Sequence, residues 1–202
     1  MSEEPANYYD EVYKRPDTVY QKNYSESGSV FKYNDLTLDA LQKAGKNAII
    51  EIGAGMGHLI DMALSTTDLE GYIGLDFSNV GLARCNEIVI KSDKKLKEFE
   101  LLQCDFNKIK KLPVFKSESL KPLYVSHETL EHFEKDLECI ALIPVGEMVA
   151  ISVPNFGGKG HVRFGNAEYW TNRYKGFLRY SKCVTMGSTG KEHIWILAKR
   201  NK

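Results

Sequence analysis

Residues 48–57 read Ala-Ile-Ile-Glu-Ile-Gly-Ala-Gly-Met-Gly, an apolar run that passes straight into a loop with glycine at every second position. The run has the character of a strand buried on both faces. A chain that turns on three glycines and then resumes with His58-Leu59-Ile60 is leaving a strand and entering a helix. Without Cβ atoms, the backbone N–H groups at such a helix start are open to a ligand. The same alternation continues downstream. Residues 72–76, 99–103, 122–126 and 147–153 read as further strands, the last stopped by Pro154, and residues 58–64, 80–90, 131–133 and 136–143 read as helices. Strands alternating with helices predict a mainly parallel sheet with helices on both faces. A helix over 35–44, ended by Gly45, precedes it. After it come a short helix over 167–174 and a hairpin, 177–186 with 192–199, around the turn cluster Gly187-Ser188-Thr189-Gly190.

The chain of 202 residues suits one such domain with a sizeable core. Two parts are expected: a tyrosine-rich arm over 1–34 (Tyr8, Tyr9, Tyr13, Tyr20, Tyr24, Tyr33) and the ligand-binding domain over 35–202. Lysine plus arginine and aspartate plus glutamate each total 27, so no overall field draws nucleic acid or an anionic membrane. Lys108, Lys110 and Lys111 are candidates for a local basic patch, most simply a solvated surface. Cys85, Cys104, Cys139 and Cys183 are too scattered for a zinc knuckle or a disulfide framework, which fits a reduced, cytoplasmic setting. No run reaches membrane-spanning length, and the polar start is unlike a signal peptide.

Two ligand classes compete for the glycine loop. A dinucleotide site wants G-x-G-x-x-G/A, and here its third small position is the bulky His58. The pattern is instead E-x-G-x-G-x-G over Glu51, Gly53, Gly55 and Gly57. Asp76 closes the next strand about 20 residues on, where a carboxylate can accept both hydroxyls of a ribose. Asp105 and Phe106 follow the third strand, and the fourth leads into Ser-His-Glu-Thr-Leu-Glu-His, residues 126–132. Together these residues resemble the class I S-adenosylmethionine (SAM)-dependent methyltransferases, small-molecule type, over roughly residues 36–199. The resemblance implies a Rossmann-like α/β fold with a mainly parallel seven-stranded sheet and an antiparallel C-terminal hairpin. It implies SAM as cofactor, with S-adenosylhomocysteine (SAH) as product. Glu51 would act near the cofactor ammonium, Gly53 and Gly55 under its methionine part and ribose, and Asp76 on the ribose. Phe77 would lie against the adenine, Asp105 at its amino group, and Ser126 near the sulfonium, with Phe106 also among the cofactor-binding residues.

Methyl transfer to a hydroxyl needs a base, and His127, His132 and His161 are the imidazoles near the expected mouth. If residues 128–132 were helical, Glu128, Glu131 and His132 would share one face, with His161 arriving from the loop after the fifth strand. Small-RNA 2′-O-methyltransferases use such a set for a divalent ion, and the segment looks like theirs locally. In metal-free relatives the same segment packs or caps, so no metal ligand is assigned. Arg163 could pair with an anionic acceptor. The reading is transfer of a methyl group from SAM to a small-molecule or glycan-like acceptor at O or N, with the arm as acceptor lid. Neither a membrane nor a nucleic acid partner is expected, and the oligomeric state is left open. The alternatives are an RNA or nucleotide methyltransferase and a non-catalytic SAM-binding regulatory subunit. An NAD-linked oxidoreductase is disfavoured by His58 and the 126–132 segment.

Overall fold

A computed structural model describes residues 3–15 and 28–201. Tyr20 and Tyr24 of the arm lie outside the described residues. In chain order the elements are α1 (Ala6–Lys14), α2 (Ser29–Lys43), β1 (Ala48–Ile52), α3 (His58–Thr66), β2 (Gly71–Asp76), α4 (Asn79–Lys91) and β3 (Glu98–Gln103). There follow β4 (Pro122–His127), a 3-10 turn (Leu130–His132), α5 (Asp136–Ala141), β5 (Met148–Pro154), α6 (Ala167–Tyr174), β6 (Leu178–Ser188) and β7 (Lys191–Arg200).

The strands form one seven-stranded sheet in the order β3-β2-β1-β4-β5-β7-β6. The first five are parallel, and β7 runs antiparallel between β5 and β6. Every residue of β1 and β2 is buried, as a strand covered on both faces requires. On one face Ile49, Tyr72, Val125 and Trp195 pack with Leu41 of α2, Ile60 of α3 and Cys85 of α4. On the other, Ile50, Tyr124 and Ile151 pack with Ile140 of α5 and Trp170 of α6. The order reverses between β1 and β4, and a crevice beyond the carboxyl ends of the strands is expected at such a point.

Two boundaries differ from the sequence expectation. Helix α2 starts at Ser29, so the arm boundary after residue 34 falls inside a helix, and Tyr33 belongs to the core on the α2 face. The tyrosines that suggested an arm had hidden the helical pattern before Asp35. The far end of α2 is as expected. Gly45 takes φ +61°, its N–H donates to Gln42 O, and the N–H of Lys46 donates to Leu41 O, the paired bonds of a glycine-terminated helix. Residues 128–132 are not an α-helix. Glu128 has φ +48°, unusual for a side-chain-bearing residue, and a single 3-10 turn follows.

A buried ion cluster fixes the loop after β5. The carboxylate of Asp136, fully buried, accepts from Arg173 Nε at 2.7 Å and Nη2 at 2.6 Å, and from the Tyr174 hydroxyl at 3.2 Å. Arg163 Nη1 stands 3.3 Å from the same carboxylate. Arg163 also donates to the carbonyls of Leu130, Phe133 and Glu134. Removing one member of such a cluster leaves buried charge uncompensated. Asp136→Ala is therefore expected to lower the unfolding free energy by about 3–5 kcal/mol, measured by urea denaturation. A loss under about 1 kcal/mol would place these arginines in surface-like surroundings.

Candidate functional site

A cavity of about 570 Å³ opens beyond the carboxyl ends of β1–β4. Glu51, Gly53, Gly55, Asp76, Phe77, Asp105 and Phe106 all line it, so residues from three successive strand ends meet around one space. The residues of α1 and the segment before it form another wall through Glu3, Glu4, Tyr9 and Tyr13.

The loop after β1 is held by backbone bonds. The N–H groups of Gly53 and Ala54 both donate to Leu75 O, at 2.8 and 2.9 Å. The N–H of Gly55 donates to Asp76 Oδ2 and that of Ser78 to Asp76 Oδ1, each at 2.8 Å. Gly53 has φ +85°, and a Cβ there would fall 2.1 Å from the Thr129 hydroxyl oxygen, so no other residue fits. Burial lifts the Asp76 carboxyl to about 6, against the pull of the backbone donors. Glu51 is buried and accepts from the Tyr72 hydroxyl at 2.6 Å. Burial lifts its carboxyl to about 8; the Tyr72 hydrogen bond opposes the shift and the nearby Asp76 charge adds to it. Asp105 is partly exposed. It accepts from the Asn107 N–H, and a hydrogen bond from Lys108 at 2.8 Å holds its carboxyl below the usual range. Lys108 is thus an exposed surface partner of Asp105.

The N-terminal segment docks onto these same elements. Asp10 accepts from the Ser78 hydroxyl at 2.5 Å and from the Val80 N–H at 3.4 Å, at the start of α4. The ring of Tyr9 lies 4.9 Å from that of Phe77, and its hydroxyl is 2.8 Å from His132 Nδ1. Glu3 accepts from the Asn107 amide at 2.6 Å and from the Glu134 N–H at 2.5 Å.

Three sequence expectations change. Ser126, expected near a sulfonium, is not in the cavity wall: its side chain is buried and its Oγ has no hydrogen-bond partner. One step along the strand turns a side chain to the other face, and spacing alone could not place it. His127, a candidate base, touches the cavity but has both ring nitrogens engaged. Asn34 Oδ1 can only accept, so His127 Nδ1 carries the ring proton and donates it at 3.0 Å. Nε2 of the neutral ring then accepts from the Thr37 hydroxyl at 3.0 Å, and Thr37 Oγ1 in turn accepts from Trp195 Nε1 at 2.8 Å. Burial pushes the imidazole down to about 3, so it is neutral and ties α2 to the sheet. Arg163, a candidate anion binder, is held by Asp136 and three carbonyls.

His132 lines the cavity, and His161 stands behind it with ring centroids 4.8 Å apart. Burial, together with the neighbouring His161, pushes His132 down to about 4, and burial lowers His161 as well. His161 Nδ1 lies 3.2 Å from Phe156 O, a contact only a protonated nitrogen makes, which leaves the Nε2 lone pair available. Beside them Glu131 is fully buried, and neither carboxylate oxygen accepts a hydrogen bond. Burial and the Glu128 charge raise its carboxyl well above the usual range. Ligand atoms of Glu131, His132 and His161 all lie within 4.8 Å of one another, a donor set of a size to hold a divalent ion. Glu128 is turned aside. It accepts from Ser152 Oγ at 2.9 Å and lies 2.9 Å from His193 Nδ1. Burial would lower His193, but the Glu128 hydrogen bond and charge outweigh it and raise the imidazole. His193 and Tyr72 were not singled out in the sequence; both sit near the start of a strand, without a motif.

No protein-family model and no curated protein matches the sequence. Solved structures do match. The chain superposes on the N-methyltransferase NodS from Bradyrhizobium japonicum WM9, in complex with SAH, with a TM-score of 0.71 at 12% identity over 98% of each chain. It superposes on magnesium protoporphyrin IX methyltransferase ChlM from Synechocystis PCC 6803, with bound SAH, at TM-score 0.67 and 11% identity, covering 96% of this chain and 94% of that one. The small RNA methyltransferase HEN1 matches at TM-score 0.64 and 17% identity, over 86% of this chain and 25% of that one. The fold is the one these methyltransferases share. At such identities the likeness is one of fold.

The buried Glu51 has a consequence for stability. Its folded pKa of about 8 exceeds the ordinary value of 4.5, so the folded state holds a proton that the unfolded chain gives up. Stability is then lost as pH rises through that window. Glu51→Gln keeps an acceptor for Tyr72 without the charge. It is expected to flatten the fall of the ligand-free melting temperature between pH 5 and pH 9, followed by thermal denaturation. Parallel curves for the two proteins would mean that Glu51 titrates normally.

Proposed function

We propose that this chain transfers a methyl group from SAM to a small-molecule acceptor. One observation carries the reading: the glycine loop after β1, Asp76 after β2 and Asp105 after β3 all face a single cavity. Three strand ends would supply, in turn, backbone for the methionine part and ribose, a carboxylate for the ribose hydroxyls, and an acceptor for the adenine amino group. Phe77 and Phe106 offer apolar rings for the base. Glu51 meets the ammonium end. The shared fold with NodS and ChlM, both solved with SAH, supports the same assignment. In-line transfer needs alignment of the acceptor and exclusion of water more than it needs covalent help. The N-terminal segment, with Tyr9 and Tyr13 over the cavity, is the cover that excludes water. For a hydroxyl acceptor the neutral His132 is the imidazole placed at the cavity to take the proton.

Calorimetry should register binding of both SAM and SAH. Asp76→Ala should weaken SAH by about 1.5–3 kcal/mol, the range for hydrogen bonds to a charged group. Unchanged affinity in that variant would remove Asp76 from the ribose, and binding of NAD in place of SAM would overturn the reading.

A second reading has its own observation. Glu131 offers two buried oxygens without a hydrogen-bond partner beside two neutral imidazoles. Such a trio fits Mn²⁺, Fe²⁺, Co²⁺ or Zn²⁺ better than Mg²⁺, which prefers an all-oxygen shell. A bound cation would acidify an acceptor hydroxyl, as in transfer to the 2′-hydroxyl of a small RNA. The balanced net charge favours a small acceptor over RNA. On this reading Mn²⁺ or Co²⁺ raises the melting temperature of the wild type and not of Glu131→Gln. No metal-dependent shift in either protein, with turnover unaffected by EDTA, would dismiss it.

A further inference from the structure

The Tyr72 hydroxyl bonds to Glu51, and the pairing of β1 with β2 sets up that contact. Glu51 on β1 stands in register with Gly74 on β2, and Tyr72 lies two residues earlier on the same face of β2. To meet Glu51, the Tyr72 side chain must run along its own strand across position 74. A Cβ there would sit 2.9 Å from Tyr72 Cε1 and 3.0 Å from its hydroxyl oxygen, so glycine keeps the lane open. The ring is fully buried and stacks on Phe99 at 6.3 Å, a contact that phenylalanine would make equally well. The hydroxyl is therefore the part that needs explaining, because burying it is costly unless it is bonded. Its partners are Glu51 Oε2 at 2.6 Å and Cys85 Sγ at 3.8 Å. A phenol has one proton, and the Tyr72 hydroxyl donates it in the hydrogen bond to Glu51 Oε2. Glu51 thus has the Tyr72 hydroxyl behind it and the cavity in front.

We propose that Tyr72 is a positioning residue: its hydroxyl holds the Glu51 carboxylate turned toward the cavity and supports its ionised form, so that Glu51 can receive the ammonium group of the cofactor's amino-acid end. The inference rests on the SAM reading and adds the element that makes Glu51 selective for a charged ligand. Removing the hydroxyl leaves a buried carboxylate with one donor fewer. Affinity for the amino-acid end falls, and affinity for the adenosine end does not.

The experiment compares SAH with 5′-methylthioadenosine, which has the adenosine and lacks the amino acid. Calorimetry on Tyr72→Phe is expected to show SAH weakened about tenfold, a change of about 1.4 kcal/mol, with 5′-methylthioadenosine held within about twofold, since no contact to adenosine is touched. Adding Tyr72→Phe to Glu51→Gln should then cause little further loss of SAH, because a neutral amide has no charge to support. Gly74→Ala, which obstructs the tyrosine, should give the same selective loss as Tyr72→Phe. Equal weakening of both ligands would mark Tyr72 as a packing residue and overturn the inference, as would an unchanged SAH affinity or full additivity with Glu51→Gln. If the wild type bound neither ligand, the SAM reading itself would fall. If it bound both and Tyr72→Phe failed to discriminate, only this inference would.

Discussion

The carboxylate of Asp76 receives the N–H groups of Gly55 and Ser78, and through them it joins the loop after β1 to the turn after β2. The remainder of the site leans on that joint. The loop takes left-handed conformations at Gly53, Gly55 and Gly57, which only glycine adopts without strain, and it needs an acceptor for N–H groups that no strand pairs. Ser78 carries the link onward: its hydroxyl accepts from the Gly81 N–H as helix cap and donates to Asp10. The N-terminal segment, the glycine loop and the start of α4 therefore share one set of hydrogen bonds. Disturbing one of them disturbs the cavity wall.

Burial sets the charge states around the cavity. Glu51, Asp76 and Glu131 are all carboxyls pushed toward the protonated form by loss of water, and His127, His132 and His161 are imidazoles pushed toward the neutral form by the same cause. A site of this kind spends little charge on itself and responds to a cation that enters it. A ligand with an ammonium or sulfonium group, or a metal ion, would draw protons off the acids. That common logic covers both Glu51, in the cavity wall, and Glu131, buried behind His132, each an acid in surroundings that disfavour its charge.

Much of this architecture was legible in the sequence because periodicity and glycine placement report backbone directly. The five parallel strands, the helices between them and the closing hairpin follow from apolar runs and turn residues, and β1 and α6 match residue for residue. The acids at strand ends were legible for the same reason, since a strand end fixes where a residue sits. Side-chain direction was not. Ser126 and His127 are neighbours on one strand, yet one packs into the core without a partner and the other bonds to α2. Nothing local distinguishes them. Contacts across long separations were hidden as well: Tyr9 with His132, Glu128 with His193 and Arg163 with Asp136 join segments with no shared pattern. The tyrosines before residue 34 looked like an arm because their spacing obscured a helix whose apolar face is partly aromatic.

The place of β7 has a bearing on how the chain is made. It pairs with β5 on one side and β6 on the other, although it follows both in sequence. As the chain leaves the ribosome, β5 has no neighbour on that side, and β6 has none at all, until residues 191–200 have emerged. An apolar strand with an unpaired edge is open to pairing with another chain. The growing protein therefore carries an adhesive edge from the emergence of β5 until that of β7, when one strand closes two gaps at once.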